Sequence, residues 1–228
     1  MTGLDFILVE PGQAGNVGTI CRALKTMGFG PPKIIGGAEG LEKSGEAQKL
    51  AHGAREFLEG IERPASIAEV KRSYGFLVGT TARRRRTVGE YVELRRLPGL
   101  LSAKGSRVGK VAILFGSEAS GLSSEVLHQC ELISTVPLST TYPSLNLAQA
   151  VLLYAYELAG LKHAVENAEE ANREGSYRAL LGRIDGLLSK EPGNVALRGR
   201  VRERLAYLEA GDIALMHSLL NTITKQNR

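Results

Sequence analysis

Five short apolar runs, separated by helical segments, constrain the fold of this chain more than any other feature. They are LDFILV from Leu4, KII from Lys33, GFLVGT from Gly75, VAILF from Val111 and ISTVPL from Ile133. Continuous runs rich in β-branched residues and bounded by glycine are typical of strands that are buried on both faces of a parallel sheet. Residues 16–27 form an amphipathic helical pattern in which Arg22 lies nearly opposite the apolar stripe. The first 160 residues therefore predict an α/β domain with a mostly parallel sheet.

The composition changes at the end of this part of the chain. Its last segment, LNLAQAVLLYAYELAG from Leu145, is apolar nearly all round, which predicts a helix buried in the core or in a subunit interface. Polar and charged residues follow Gly160 and are typical of a linker. Three helical patterns then cover 177–188, 195–208 and 213–223. We expect an α/β domain at 1–161, a linker at 162–175 and a small all-helical domain at 176–228, which should be dispensable for folding of the first domain.

Charge and cysteine content indicate the compartment and the class of partner. The formal net charge of +5 favours contact with a polyanion without requiring one. Cys21 and Cys130 are too few for a disulfide framework, so a reducing cytoplasm is expected. The N-terminus has no signal-peptide pattern, and no apolar run reaches the roughly 20 residues that a membrane-spanning helix needs.

Common nucleotide, zinc and esterase motifs are absent from the sequence. GGAEG from Gly36 lacks the spacing of a dinucleotide-binding loop, and GSRVGK from Gly105 is one residue short of a P-loop. Neither a zinc-protease HExxH motif nor a GxSxG nucleophile elbow occurs. We therefore expect chemistry that requires no metal.

Three segments carry a more specific signal. They are NVGTICRALKTMGFG from Asn16, FGSEASGLS from Phe115 and VPLSTTYPSLNLAQAV from Val136, and GTTARRR from Gly79 accompanies them. In order and spacing they resemble the motifs of the SpoU/TrmH class of RNA 2′-O-ribose methyltransferases, a branch of the SPOUT superfamily. The resemblance implies a trefoil-knotted domain, a homodimer, S-adenosyl-L-methionine as cofactor and tRNA as substrate, with the ribose of nucleotide 32 in the anticodon loop as the target.

The resemblance also implies roles for individual residues, and each has a simpler alternative. The catalytic set is Asn16, Arg22, Glu118, Ser144 and Asn146. Arg22 would help to activate the ribose hydroxyl, and stabilisation of the developing alkoxide suits a guanidinium better than proton abstraction does. The alternatives are a solvated Arg22, a surface carboxylate at Glu118, and helix capping by Asn16, Ser144 and Asn146.

The implied cofactor site draws on four segments: Thr80, Thr81, Ala82, Gly116, Val136, Leu138, Pro143, Ser144 and Leu145. Gly116 and Gly121 would let a loop approach the cofactor closely, although both could simply be turn glycines.

Arginine clusters are the candidate RNA contacts. Arg83 and Arg85 follow the third apolar run, and Arg198 and Arg202 lie one turn apart in the tail. The tail arginines could equally form a solvated helix face. Two other functions also stay open: methylation of another tRNA position or of rRNA, and non-catalytic RNA binding by a protein that retains the fold.

Overall fold

A computed structural model describes residues 3–82, 91–139, 145–165, 175–189 and 195–226. Six strands form one sheet: β1 Gly3–Val9, β2 Lys33–Ile35, β3 Phe76–Thr80, β4 Tyr91–Glu93, β5 Lys110–Phe115 and β6 Leu132–Thr135. Their order is β2-β1-β5-β3-β6-β4, and all five pairings are parallel. The predicted α/β class with a parallel sheet is confirmed.

Ten α-helices occur in the described residues. They are α1 Ala14–Thr26, α2 Gly45–Leu50, α3 Arg55–Glu59, α4 Ile67–Ser73, α5 Leu97–Ala103, α6 Ser124–Gln129, α7 Leu147–Val165, α8 Tyr177–Leu188, α9 Val195–Leu205 and α10 Ala210–Gln226. Serine side chains cap several of them, as at Ser123, where Oγ accepts a hydrogen bond from the Val126 N–H. None of the described helices is long and apolar enough to cross a membrane.

The central strands are buried on both faces, as the continuous apolar runs predict. Along β5, Val111 and Ile113 pack into one hydrophobic cluster, and Ala112 and Leu114 pack into another on the opposite face. Successive side chains of a strand point to opposite faces, so one strand can join two cores. Helices α1 and α7 contact each other and contribute to the first cluster, beside the sheet.

The three helices of the tail share their core with the sheet. Their buried residues Tyr177, Leu180, Leu181, Ile184, Leu205, Ala206, Ile213 and Leu220 belong to the same cluster as Phe6 and Phe76. The rings of Phe76 and Tyr177 lie 5.3 Å apart. Arg107 donates to the Gly175 carbonyl at 3.0 Å, and Arg178 donates to the Tyr74 carbonyl at 3.1 Å. The tail is thus packed onto the α/β body and not suspended from a linker.

A buried lysine strengthens this packing. Lys104, at the C-terminal end of α5, is 1% exposed and donates from Nζ to the carbonyls of Ala206 and Leu208, which follow α9. The same ammonium lies 4.9 Å from the centre of the Phe76 ring. Burial lowers the pKa of Lys104 to about 8, although the nearby Glu209 acts in the opposite direction. Lys104 therefore joins the body to the end of the second tail helix.

Candidate active site

A groove opens where β3, β5 and β6 end. Its volume is about 250 Å³, and its walls come from 80–82, 115–121, Val136, Leu138 and four residues at the start of α7 and just before it. Seven of the predicted cofactor-binding residues line it: Thr80, Thr81, Ala82, Gly116, Val136, Leu138 and Leu145. Pro143 and Ser144 lie outside the described residues. Ligands of open α/β sheets bind at the carboxyl ends of the strands, which is where this groove lies.

The sixth strand ends earlier than the apolar run suggests. The run ISTVPL predicts a strand that continues to Leu138, but β6 ends at Thr135. Val136 and Leu138 consequently lie beyond the sheet, and Leu138 is 39% exposed in the groove.

Gly116 and Gly121 shape the loop that forms one wall of the groove. A Cβ at Gly116 would lie 2.0 Å from the carbonyl carbon of Gly121, so no other residue fits without moving the backbone. Gly121 itself has φ +68°, in the region that favours glycine. The turn between them is closed by the Gly121 N–H, which donates to the Ser117 carbonyl at 2.9 Å. These are turn glycines, and the turn that they build lines the groove.

Three of the predicted catalytic residues form a continuous hydrogen-bond chain beside the groove. Asn146 Nδ2 donates to Asn16 Oδ1 at 3.0 Å, and Asn16 Nδ2 donates to Glu118 Oε1 at 2.6 Å. Glu118 Oε2 accepts the Gly12 N–H at 2.8 Å. Residues separated by up to 130 positions are thereby joined. The chain fixes α1, the loop after β5 and the start of α7 relative to one another.

Asn16 and Asn146 differ in whether they cap a helix. Asn16 does not cap α1, because it lies within the helix, whose N-cap is Gln13, and it is 8% exposed. Asn146 does cap α7: its Oδ1 accepts the Ala148 N–H at 2.8 Å. Asn146 therefore combines a capping role with its place in the hydrogen-bond chain.

Glu118 is held as a carboxylate. Burial acts to raise its pKa, but hydrogen bonds from Asn16 and from the Gly12 N–H outweigh that effect, and the net pKa is lowered. A carboxylate with a lowered pKa and both oxygens occupied is a poor base for a ribose hydroxyl. Its contribution is to orient Asn16 and the loop that carries it.

Arg22 lies on α1, exposed to solvent and outside the groove lining. The prediction that it points away from the core of its own helix is confirmed. Its side chain makes no hydrogen bond or ion pair within the described ranges. A single chain therefore leaves the guanidinium available but does not bring it to the groove.

Several groove residues went unidentified in the sequence. Phe115, Ser117, Ala119, Ser120, Leu147, Ala150 and Tyr154 also line it. Leu147, Ala150 and Tyr154 are spaced as one face of α7, so the helical period could have identified them once one member was known. The Tyr154 hydroxyl donates to Ser134 Oγ at 2.9 Å, which anchors this face of α7 to β6.

The candidate RNA-binding arginines of the tail have intramolecular partners. Arg198 donates to the Leu188 carbonyl at 2.8 Å, and Arg202 forms a salt bridge with Asp185 in which its side chain stays 51% exposed. Arg83 and Arg85 lie outside the described residues. Among the residues that the structure describes, no cluster of three or more His, Cys, Asp or Glu side chains could hold a metal ion.

Comparison with known proteins identifies the family. A profile described as the SpoU rRNA Methylase family matches residues 3–156, the whole of the sheet and about half of α7. A second, described as tRNA/rRNA methyltransferase LasT, C-terminal domain, matches residues 174–227, the helical tail. The chain belongs to the SpoU methylase family.

Within this family the chain is similar to two named proteins over nearly its whole length. It is 35% identical over 224 residues to "Uncharacterized tRNA/rRNA methyltransferase LasT" of Escherichia coli (strain K12), covering 97% of both chains. It is 29% identical over 241 residues to "tRNA (cytidine/uridine-2′-O-)-methyltransferase TrmJ" of Yersinia pestis (strain Pestoides F), covering 99% of this chain and 93% of that protein. The crystal structure of TrmJ from Z. mobilis ZM4 superimposes with a TM-score of 0.63 at 25% identity, covering 96% of this chain and 98% of that one.

Proposed function

We propose that this protein transfers a methyl group from S-adenosyl-L-methionine to a ribose 2′-hydroxyl of tRNA. The observation that carries the proposal is the hydrogen-bond chain Asn146–Asn16–Glu118 beside the groove. It joins the three motif segments on which the resemblance rests, and it does so at the carboxyl ends of the strands. Membership of the SpoU family and the similarity to TrmJ support the same activity.

The groove suits the proposed cofactor. Its lining combines apolar side chains such as Val136 and Leu138 with the small residues Ala82 and Gly116. The apolar side chains suit a flat ring of the ligand, and the small residues let its polar groups reach the protein backbone. When bound, the cofactor supplies an electrophilic methyl group on a sulfonium. The protein's own task is to hold that group and the ribose oxygen in line, at near-attack distance.

We propose that Arg22 completes the site across a homodimer interface. Within one chain it does not line the groove, so a second subunit is the simplest way to bring an arginine there. The outer face of α7 exposes Leu152, Leu153 and Tyr156, at 40%, 37% and 67%. Apolar residues clustered on one helix face are typical of an interface. At the ribose, Arg22 would stabilise the developing alkoxide and bind a neighbouring phosphate.

The target nucleotide is proposed on the similarity to TrmJ, as nucleotide 32 of the anticodon loop. The alternative is another tRNA position or rRNA, since LasT is named for both RNAs. A non-catalytic RNA-binding role is disfavoured because Asn16, Glu118 and Asn146 are all present and linked. We also propose a cytoplasmic location, a metal-independent reaction, and the boundaries 1–161, 162–175 and 176–228 for body, linker and RNA-binding tail.

Nucleoside mass spectrometry on RNA from a strain that lacks the protein tests this function. A 2′-O-methylated nucleoside should disappear from tRNA, and purified protein with S-adenosyl-L-methionine should restore it in the presence of a chelator. Nuclease fragments would then assign the position. Loss from rRNA alone would favour the alternative substrate, and unchanged RNA together with inactive protein would leave only the binding role.

A further inference from the structure

A second cavity lies between the α/β body and the helical tail. Its volume is about 940 Å³, and it is bounded by the end of α6, the start of β6, and helices α8 and α9. Leu132 and Ile133, at the start of β6, line this cleft, whereas Val136, just past the end of the same strand, lines the groove. The two openings therefore lie at opposite ends of β6. The cleft takes no part in the site described above.

Two polar groups in the cleft walls lack partners. The Tyr177 side chain is fully buried, and its hydroxyl has no hydrogen-bond partner among the described residues. Arg198 Nε, also buried, is likewise unpaired there. Burial raises the pKa of the Tyr177 hydroxyl, so the group remains a donor at neutral pH. Buried donors are normally satisfied, so two unsatisfied donors in the walls of one cavity suit an external acceptor.

Glycines open both helical walls of the cleft. Gly186 in α8 and Gly199 in α9 line it, and a Cβ added to either would meet no neighbouring segment within 4 Å in the part of the chain that is described. Glycine is unfavourable inside a helix, and no close approach of the chain requires it at these positions. Bare helix backbone presents a flat surface, against which a planar ring can lie.

The charges of the cleft suit a ligand that carries a phosphate. Arg200 is exposed in its lining and forms no ion pair with any described residue. Asp185 is neutralised by Arg202. Glu131, on the body side, is paired with Arg178, and burial raises its pKa although Arg178 and the Leu77 N–H oppose this shift. Arg200 thus adds a cationic group beside the unpaired donors.

We propose that this cleft binds one unstacked nucleotide of the RNA substrate, at a point remote from the methylated ribose. The base lies against the backbone at Gly186 and Gly199, its acceptor atoms receive hydrogen bonds from Tyr177 and Arg198, and its phosphate meets Arg200. Unstacked bases are the parts of RNA that proteins recognise by such edges and surfaces. The inference rests on RNA being the substrate, as proposed above, but not on methyl transfer itself.

Filling the cleft without removing any contact provides the test. Gly186→Met and Gly199→Met place a side chain in it, and Gly182→Met is the matched control, because Gly182 is exposed on the same helix α8, has open space beside it and does not line the cleft. Fluorescence anisotropy with labelled bulk tRNA should show a roughly tenfold weaker affinity for the two cleft variants and no change for Gly182→Met. Melting temperatures of all three should equal or exceed that of the wild type.

Tyr177→Phe supplies an independent arm, since it removes a hydroxyl that has no partner in the described chain. We expect unchanged or greater thermal stability and RNA affinity lowered by roughly fivefold. Unchanged affinity in Gly186→Met, Gly199→Met and Tyr177→Phe would overturn the proposal. Calorimetry should give the same affinity for S-adenosyl-L-methionine in every variant. If the wild-type protein transferred no methyl group but still bound RNA, the proposed function would fail while the cleft could still be tested.

Discussion

At the scale of single residues, the hydrogen-bond chain and Arg22 differ in how they are held. Asn16, Glu118 and Asn146 are hydrogen-bonded to one another, so they position the groove walls. The Arg22 side chain has no hydrogen-bond or ion-pair partner within the described residues and is exposed. An exposed cation without a structural partner can be replaced at little cost to the fold. Its function can therefore be tested with little interference from stability.

We expect Arg22→Ala to remove most methyl transfer, by roughly 100-fold or more, because a charge-stabilising donor is lost in the transition state. Arg22→Lys should fail similarly, since an ammonium cannot form the two parallel hydrogen bonds of a guanidinium. Turnover measured with radiolabelled cofactor and affinity measured by calorimetry separate the two effects, and cofactor affinity should hardly change. Arg55→Ala, another exposed arginine, is the control. Near-normal turnover in Arg22→Ala would make Arg22 an ordinary surface residue.

Sequence motifs predicted the residues of the site better than their physical roles. Seven residues that the family resemblance implied for the cofactor site line the groove. The close contact between Gly116 and Gly121 was not predictable, since it depends on how the loop folds back on itself. The partners of Arg198 and Arg202 were not predictable from the sequence either, because Leu188 and Asp185 belong to another helix.

At the scale of elements, long periodic segments were predicted well, but only one of the two three-residue edge strands was. The prediction for 177–188 matches α8 at both ends, and α1 differs from its predicted range by two residues at its start and one at its end. Strand β2 was predicted from its apolar residues, but β4 was missed, because Val92 is the single buried residue of Tyr91–Glu93 and the segment forms no apolar run. The third tail helix begins at Ala210, earlier than the predicted 213, because Asp212 accepts the Glu209 N–H.

The junction between the body and the tail should show an unusual pH dependence. The pKa of Lys104 is lowered from 10.5 to about 8 in the native protein, so between these values the unfolded chain binds a proton that the native chain has lost. The free energy of unfolding should therefore rise with pH across this window. Chemical denaturation at several pH values measures it.

Lys104→Met should abolish that rise and, at pH 7, lower the free energy of unfolding by about 1–3 kcal/mol, because the carbonyls of Ala206 and Leu208 lose their donor. Limited proteolysis should also cut the tail of this variant faster. Lys25→Met, which affects an exposed salt bridge with Glu56, is the comparison and should leave the rise intact. A rise that persisted in Lys104→Met would assign the titration to another group.

At the scale of the whole molecule, the helical tail shares a hydrophobic core with the α/β body. The composition predicted a separable helical domain, but Tyr177 and Leu205 pack in the same cluster as Phe76. A polar linker sequence says nothing about where the following helices dock, so this packing could not be derived from it. The trefoil knot and the homodimer that the resemblance implies remain predictions.

Mixed dimers test whether Arg22 acts across the interface. Arg22→Ala and Leu138→Arg, the second of which obstructs the groove, should each be inactive alone. A one-to-one mixture should regain about one quarter of wild-type activity, because half of the dimers are mixed and each contains one intact site. Leu138→Arg mixed with Val136→Arg, both in the groove, should regain none. An arginine that acted within its own chain would give no recovery in the first mixture either.

The bond between Asn16 and Asn146 also has a consequence for how the protein is made. The two side chains are separated by 130 positions, and β5, the strand between β1 and β3, is itself far along the chain. At a synthesis rate of about 5–20 residues per second, the ribosome adds Asn146 roughly 7–26 seconds after Asn16. Until the end of that interval α1 lacks α7, one of the two helices that pack most extensively against it. Nascent chains that stop before Asn146 should therefore be substrates for chaperones, and release from chaperones should coincide with completion of the site.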